Sequence, residues 1–304
     1  MKPNLKVNIG RLKLKNPVLV ASGTFGYAEE FSSFIDLKQL GAIVTKTITL
    51  RPRQGNLPPR TCETPAGMLN SIGLENPGLR SFLKDKLPRL AAYGVPLIVS
   101  ISSERDPREF TELARALDKI RSVAAIELNI SCPNLGKGTL ISQDALATYG
   151  VVKEVRKSTK KTLITKLSPN VTSITDIASA AEEAGSDALA LINTITGMSI
   201  DVASRKPKIA MASGGLSGPA IRPIAVRMVW EVYQKIKIPI IGMGGIIDTD
   251  SALEFILAGA TAISVGTANF VNPQTTVEII DGIEDYLKKN KINSLKDLTG
   301  SLRC

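Results

Sequence analysis

Val123-Ala124-Ala125-Ile126-Glu127-Leu128-Asn129-Ile130-Ser131-Cys132-Pro133-Asn134 is the stretch on which the fold turns. Residues 123–130 are an apolar run with little alternation, the pattern of a strand buried on both faces of a parallel sheet. Proline at 133 ends such a strand, and small residues follow it as a loop. The break leaves an amide (Asn129) and a thiol (Cys132) at the strand's carboxyl end. Parallel α/β folds carry their chemistry on that rim. A lone internal cysteine is more often inert core, so the rest of the chain has to decide.

The same kind of run recurs seven more times, at residues 17–21, 41–45, 96–101, 162–167, 187–192, 238–243 and 262–265. Segments of helical period lie between most of them, at 79–93, 107–120, 144–158, 174–184, 220–235 and 250–257, with 274–288 at the end. Asp248-Thr249-Asp250 offers capping side chains, and Pro219 and Pro273 suit first-turn positions. Eight buried strands alternating with helices predict an α/β fold, a parallel (β/α)8 TIM barrel, with an open doubly wound sheet as the alternative. Residues 5–15 alternate apolar and polar about Asn8 to Gly10, a small hairpin that would close one end of the barrel. No composition shift divides the chain, so residues 1–304 are expected to be a single domain.

Two connections are too long to be ordinary turns. One runs over residues 47–76 and ends in Met68-Leu69-Asn70-Ser71-Ile72-Gly73-Leu74, too apolar for disorder. It is expected to fold over the barrel mouth and bring Asn70 to the site. The other, residues 194–218, carries Arg205, Lys206 and Lys208 and is expected to cover a ligand as well.

Composition removes several kinds of chemistry. The 304 residues include no histidine, so the commonest general base and metal ligand are missing. Cys62, Cys132 and Cys304 are too few and too scattered for a disulfide framework or a Cys-ligated metal. Proton transfer is left to Cys, Lys, Tyr or a carboxylate. The net charge of +10 has no run of five like charges behind it. Its densest cluster, Arg156-Lys157-Ser158-Thr159-Lys160-Lys161, stands where a helix ends and cations suit the dipole, so it reads as surface charge. With no apolar leader and no apolar run of about 18 residues, a cytoplasmic protein is expected.

Glycines follow the last two strands, in Gly242-Met243-Gly244-Gly245 and Gly266-Thr267. Barrels often hold phosphate there, although tight βα turns need glycine too. At the other strand ends stand Ser22, Lys46 with Thr47, Ser100, Asn129, Lys166, Asn193 with Thr194, and Ser217 with Gly218. A lysine ending an apolar strand is costly unless it meets negative charge. The asparagines offer paired donors and acceptors, suited to a heterocycle with amide edges.

On these residues the chain resembles the class 1 dihydroorotate dehydrogenases, flavin mononucleotide (FMN) barrels of pyrimidine synthesis. It is most similar to the catalytic subunit of the NAD-linked class 1B type. Ala21-Ser22-Gly23-Thr24-Phe25-Gly26, Pro65 to Leu74, Asn129 to Asn134 and Lys166-Leu167-Ser168-Pro169-Asn170 carry the likeness. Gly214 to Ala220 and Gly242 to Gly245 add to it. The resemblance implies that Cys132 is the catalytic base. It implies that Ser22, Lys46, Thr47, Ser100, Asn129, Lys166, Ile192, Gly218, Gly244, Gly245, Gly266 and Thr267 hold FMN. Dihydroorotate would lie against Lys46, Asn70, Ser71, Ile72, Gly73, Leu74, Asn129, Asn193 and Thr194, and no metal is implied.

Two departures stand out. Ser100 replaces an asparagine that touches flavin in the family, and the loop at 135–140 is short. The resemblance further implies a homodimer at the core of a heterotetramer, with FAD and a [2Fe-2S] cluster on a partner subunit. Three cysteines could not build that cluster here. No nucleic-acid or membrane partner is expected. The rival readings are a fumarate-using class 1A enzyme, a dihydropyrimidine dehydrogenase-like flavoprotein, a tRNA dihydrouridine synthase and a non-catalytic flavin protein.

Overall fold

In a computed structural model, residues 2–103, 106–131 and 140–303 are described. Val18–Val20, Ala42–Val44, Leu97–Ile101, Val123–Asn129, Thr162–Lys166, Ala188–Leu191, Ile240–Gly242 and Ala262–Val265 are the eight barrel strands. Each pairs in parallel with its neighbours in chain order, and the eighth returns to the first through Ile263↔Val18 and Val265↔Val20. This is the closed barrel that the run of apolar segments predicted. Every residue of the first, second, third, fifth and sixth strands is buried, which explains the missing alternation: both faces are covered, one by the barrel interior and one by helices.

Helices stand where the period placed them, among them Arg108–Asp118, Ala145–Ser158, Ile174–Glu183, Arg222–Tyr233, Thr249–Leu257 and Thr275–Lys289. Asp248 caps its helix by accepting from the Ser251 amide at 2.8 Å. After the first strand the chain makes only a single turn of 3-10 helix, Leu37–Gln39. Gly23, Gly26 and Ala28 there have positive φ, which no α-helix accommodates. Phe25 and Phe31, stacked at 4.0 Å, fill the place of the helix.

The hairpin pairs Val7–Ile9 with Leu12–Leu14 and turns at Gly10-Arg11, one step beyond the expected centre. Arg11 N–H reaches Thr162 Oγ1 at 3.2 Å, and a Cβ on Gly10 would lie 2.7 Å from that of Asp187. The hairpin therefore plugs the amino ends of the fifth and sixth strands. Two members of the basic cluster at 156–161 are tied into the same end, while Lys157 and Lys160 stand exposed as the surface charge that was expected. Arg156 pairs with Asp187 at 2.7 Å. Lys161 Nζ donates to the carbonyls of Ile120 and Val123 at 2.9 and 2.7 Å, and burial lowers its pKa.

At the opposite end the two long connections build one structure together. Thr61–Thr64 and Gly67–Asn70 come from the first, and Ile195–Gly197 and Gly214–Ser217 from the second. They join in a four-stranded antiparallel sheet in which Gly214–Ser217 pairs with Gly67–Asn70. Glycine is required at that seam. Gly67 has φ 159°, and a Cβ on it would lie 2.0 Å from the Ser217 carbonyl oxygen. Gly67→Ala should lower stability by about 1–3 kcal/mol through overpacking and backbone strain. Limited proteolysis should then cut the 47–76 connection first, while circular dichroism reports an intact barrel.

Candidate active site at the carboxyl ends of the strands

The barrel sets its polar residues in layers. Asn129 and Lys166 are in register on neighbouring strands, and both are buried. Lys166 Nζ donates to Ser22 Oγ at 3.1 Å. Among the described residues it has no carboxylate partner, and neither has the half-buried Lys46. A buried ammonium satisfied by one hydroxyl calls for an anion. Because Ser22 accepts from Lys166, its own proton is free for a ligand.

Asn129 and Asn193 meet above this layer. Asn193 Nδ2 donates to Ser131 Oγ at 2.9 Å and to Asn129 Oδ1 at 3.4 Å, while its Oδ1 accepts from the Thr194 amide at 2.8 Å. The amide group of Asn129 is left as the donor facing inward. Asn170 ties Thr194 down through its carbonyl at 3.0 Å. Ser131 fixes the chain one residue before Cys132. Cys132 itself lies outside the described residues.

Residues 71–74 have an unusual polarity. All four of their carbonyls are drawn back into the connection. Asn56 Nδ2 donates to Ser71 O, Asn56 N to Ile72 O, Arg53 Nε to Gly73 O and Asn76 Nδ2 to Leu74 O, at 2.7–3.3 Å. The ion pair of Arg60 with Glu75 braces the same turn. The amides of Ile72, Gly73 and Leu74 have no acceptor among the described residues. With positive φ at Gly73 (75°) and Leu74 (56°), they form a run of exposed N–H groups of the kind that takes up a carboxylate. Asn70, at the seam, donates to Gly215 O at 3.2 Å, and Ser71 Oγ is buried without a partner.

The glycines of the last two turns have different reasons to be there. Gly244 and Gly245 have φ of 125° and 79°, so the turn alone requires them. Gly218 (φ 98°) is demanded by contact, since a Cβ on it would lie 2.6 Å from Gly67 Cα. Ile192 packs under Gly244, 3.3 Å from where a Cβ would stand. Gly266 differs. Its φ is ordinary, and a Cβ would meet nothing nearer than Ala21 Cβ at 3.6 Å. The amides of Gly244, Gly245, Gly266 and Thr267 have no acceptor among the described residues. Room for a Cβ without a clash at Gly266, beside four unsatisfied N–H groups, fits a phosphate.

Below the mouth lies an arrangement that motif reading missed. Glu127 is 2% exposed on the fourth strand, and Ser100, in register with it on the third, donates to Glu127 Oε1 at 2.8 Å. Ser100 Oγ is also 2.9 Å from Thr47 Oγ1. Glu127 and Asn129 are two apart on one strand and so face the same way. A carboxylate at that spacing inside an apolar run was the available signal.

These features define a parallel barrel enzyme whose mouth offers cations and backbone amides to an anionic, amide-edged ligand. Comparison with known proteins narrows the class. The sequence profile of dihydroorotate dehydrogenase matches residues 4–287. The catalytic subunit of dihydroorotate dehydrogenase B (NAD(+)) from Geotalea uraniireducens is 52% identical over 302 residues, covering 99% of each chain. Its counterparts in Trichlorobacter lovleyi and Thermoanaerobacter pseudethanolicus are 53% and 51% identical over 303 residues, again covering 99% of each chain. The chain belongs to the dihydroorotate dehydrogenase family.

If Gly266 is there for phosphate, Gly266→Ala should change the stability of the apoprotein by no more than about 0.5 kcal/mol. The same substitution should weaken FMN binding at least about tenfold through displaced phosphate contacts, read by fluorescence titration. Equal affinities would remove the phosphate from this turn.

Proposed function

We propose that this chain oxidises (S)-dihydroorotate to orotate for pyrimidine biosynthesis, as the FMN-binding catalytic subunit of a class 1B enzyme in the cytoplasm. Residues 1–304 act as one domain. Two copies form the core of a heterotetramer, and electrons leave to NAD through a partner subunit carrying FAD and a [2Fe-2S] cluster. The name of the relatives, a catalytic subunit of an NAD(+) enzyme, supports a partner and that acceptor. Among the described residues no helix is long and apolar enough to cross a membrane. The observation that carries the reading is the buried, carboxylate-free Lys166 at a mouth where Ile72 to Leu74 also present unpaired amides. One end of the mouth suits a flavin edge and the other a substrate carboxylate.

The donor set fits FMN. Gly244, Gly245, Gly266 and Thr267 would take its phosphate. Ser22, Thr47, Asn129 and Lys166 would take its polar ring edge, and Ile192 and Gly218 would line the cavity. Bound FMN would supply the hydride acceptor that no side chain offers.

The other tasks fall to the chain. Lys46 and the amides of residues 72–74 hold the substrate carboxylate. Asn70, Asn129, Asn193 and Thr194 hold its ring amides and so fix which face is presented. Cys132 removes the proton from the ring carbon next to the one that loses hydride. The resemblance supports this thiol as the base in a chain without histidine, and a thiol's ionised fraction grows towards its ordinary pKa of about 8.5. Lys166 stabilises negative charge that builds at the ring edge.

Anaerobic mixing of the yellow protein with dihydroorotate should bleach it without any added acceptor. The rate should rise with pH as the thiol ionises. Cys132→Ala should keep its colour and bleach slower by about two orders of magnitude or more. Near-normal bleaching would reassign the base. Steady NADH production should require addition of the partner subunit. A flavin-loaded protein that dihydroorotate does not bleach would overturn the reading.

A further inference from the structure

A buried carboxylate without a cation is costly, and Glu127 is one. Among the described residues it makes no ion pair, and its hydrogen-bond donor is the Ser100 hydroxyl. It stands one layer beneath Asn129 and Lys166, inside the barrel, with its neighbours Ile126 and Leu128 fully buried on the other face. Solvent does not reach Ser100 at all, and Thr47 is 5% exposed. The three groups are therefore a closed series that ends at the ligand space.

With Glu127 ionised, proton counting fixes the direction of that series. A hydroxyl has one proton. Ser100 Oγ donates to the Glu127 carboxylate at 2.8 Å, so in its 2.9 Å contact with Thr47 it must accept. Thr47 consequently points its only proton inward. The oxygen it shows the pocket carries lone pairs alone. The main chain around it is held by Lys46 N to Gly26 O at 3.0 Å and Ile48 N to Ser100 O at 2.9 Å, so the hydroxyl has little freedom to turn away.

We propose that Glu127 is a positioning residue: acting through Ser100, it makes Thr47 an obligate acceptor and selects a ligand heterocycle with an N–H between carbonyls. In the flavin reading, on which this rests, that group is the N3–H of the isoalloxazine. An N–H aimed at an acceptor is bound, while a carbonyl or an N-alkyl at the same point is left facing lone pairs. Sites of this kind discriminate strongly because the unmatched polar group stays buried and unpaired. Ser100 would thus serve the cofactor without touching it, which gives a role to the short side chain at a position where the family has asparagine.

The test uses two probes, FMN and its N3-methyl analogue, titrated against apoprotein. Unaltered protein should bind FMN at least about tenfold more tightly than the analogue, the worth of one hydrogen bond to a buried acceptor. In Glu127→Leu the carboxylate acceptor is gone, Ser100 is free to give its proton to Thr47, and Thr47 can turn its own proton outward. That variant should lose about tenfold in FMN affinity and most of the preference over the analogue, with a shift in the visible flavin band. Ser100→Ala should do the same, and it serves if Glu127→Leu fails to fold by circular dichroism. Thr47→Ser keeps the hydroxyl and should keep the preference. Variants that hold both flavins with the unaltered ratio would overturn the series while leaving the flavin reading in place. Folded, unaltered protein that binds neither flavin would overturn that reading, and this proposal with it.

Discussion

Eight parallel strands closed on themselves leave a polar side chain only two lodgings. It can sit at the rim, or it can sit inside if its hydrogen bonds are met there. Every feature of the site follows from that restriction. Lys46, Asn129, Lys166 and Asn193 end their strands at the mouth, and Glu127 is tolerated a layer below because Ser100 and Thr47 serve it. The other end of the barrel obeys the same rule with a different outcome. Asp187 there accepts from Arg156 and from the Leu163 amide at 2.8 Å, and Asp118 accepts from Thr159 and Lys160 at 2.7 Å. Those bonds, the Thr159 hydroxyl first, hold the Asp118 carboxyl below the usual carboxylate range. One end is internally saturated and the other is left with donors to give.

That contrast separates stabilising charge from functional charge better than burial does. Arg156 and Lys166 are both largely out of water, yet the first meets a carboxylate and two carbonyls while the second meets one hydroxyl. The glycines divide in the same manner. Gly244, Gly245 and Gly218 are imposed by backbone angle or contact, whereas nothing in the chain imposes Gly266. A residue type that its own protein does not need is there for something else.

The barrel was legible because a strand buried on both faces writes itself as an unbroken apolar run, and eight such runs survive any local error. The replacement of the helix after the first strand by a loop rests on positive φ at Gly23, Gly26 and Ala28, which no sequence period displays. The four-stranded sheet over the mouth was not legible either. Its strands are three or four residues long, several carry glycine, and the pairing that joins them into one sheet runs between the two connections, so no local period marks it. The rim residues could be picked out from their places after strands, but not their polarity. That Ile72 to Leu74 turn amides outward depends on Asn56, Arg53 and Asn76 claiming the carbonyls. In the basic cluster at 156–161 the surface reading holds for Lys157 and Lys160, but composition does not reveal that Lys161 reaches the carbonyls of Ile120 and Val123.

The sheet over the mouth also sets a timetable. Asn70 and Gly215 are 145 residues apart in the chain, so the seam over the mouth cannot form early by local encounter. Loop closure over such a span is slow and follows assembly of the nearer contacts. On the ribosome, a chain that has grown past its fifth strand already owns Lys46, Asn129 and Lys166 yet has no enclosed pocket. A nascent molecule is in this way kept from gripping its ligands until most of its length has been made, and the last part of the fold to arrive is the part that encloses them.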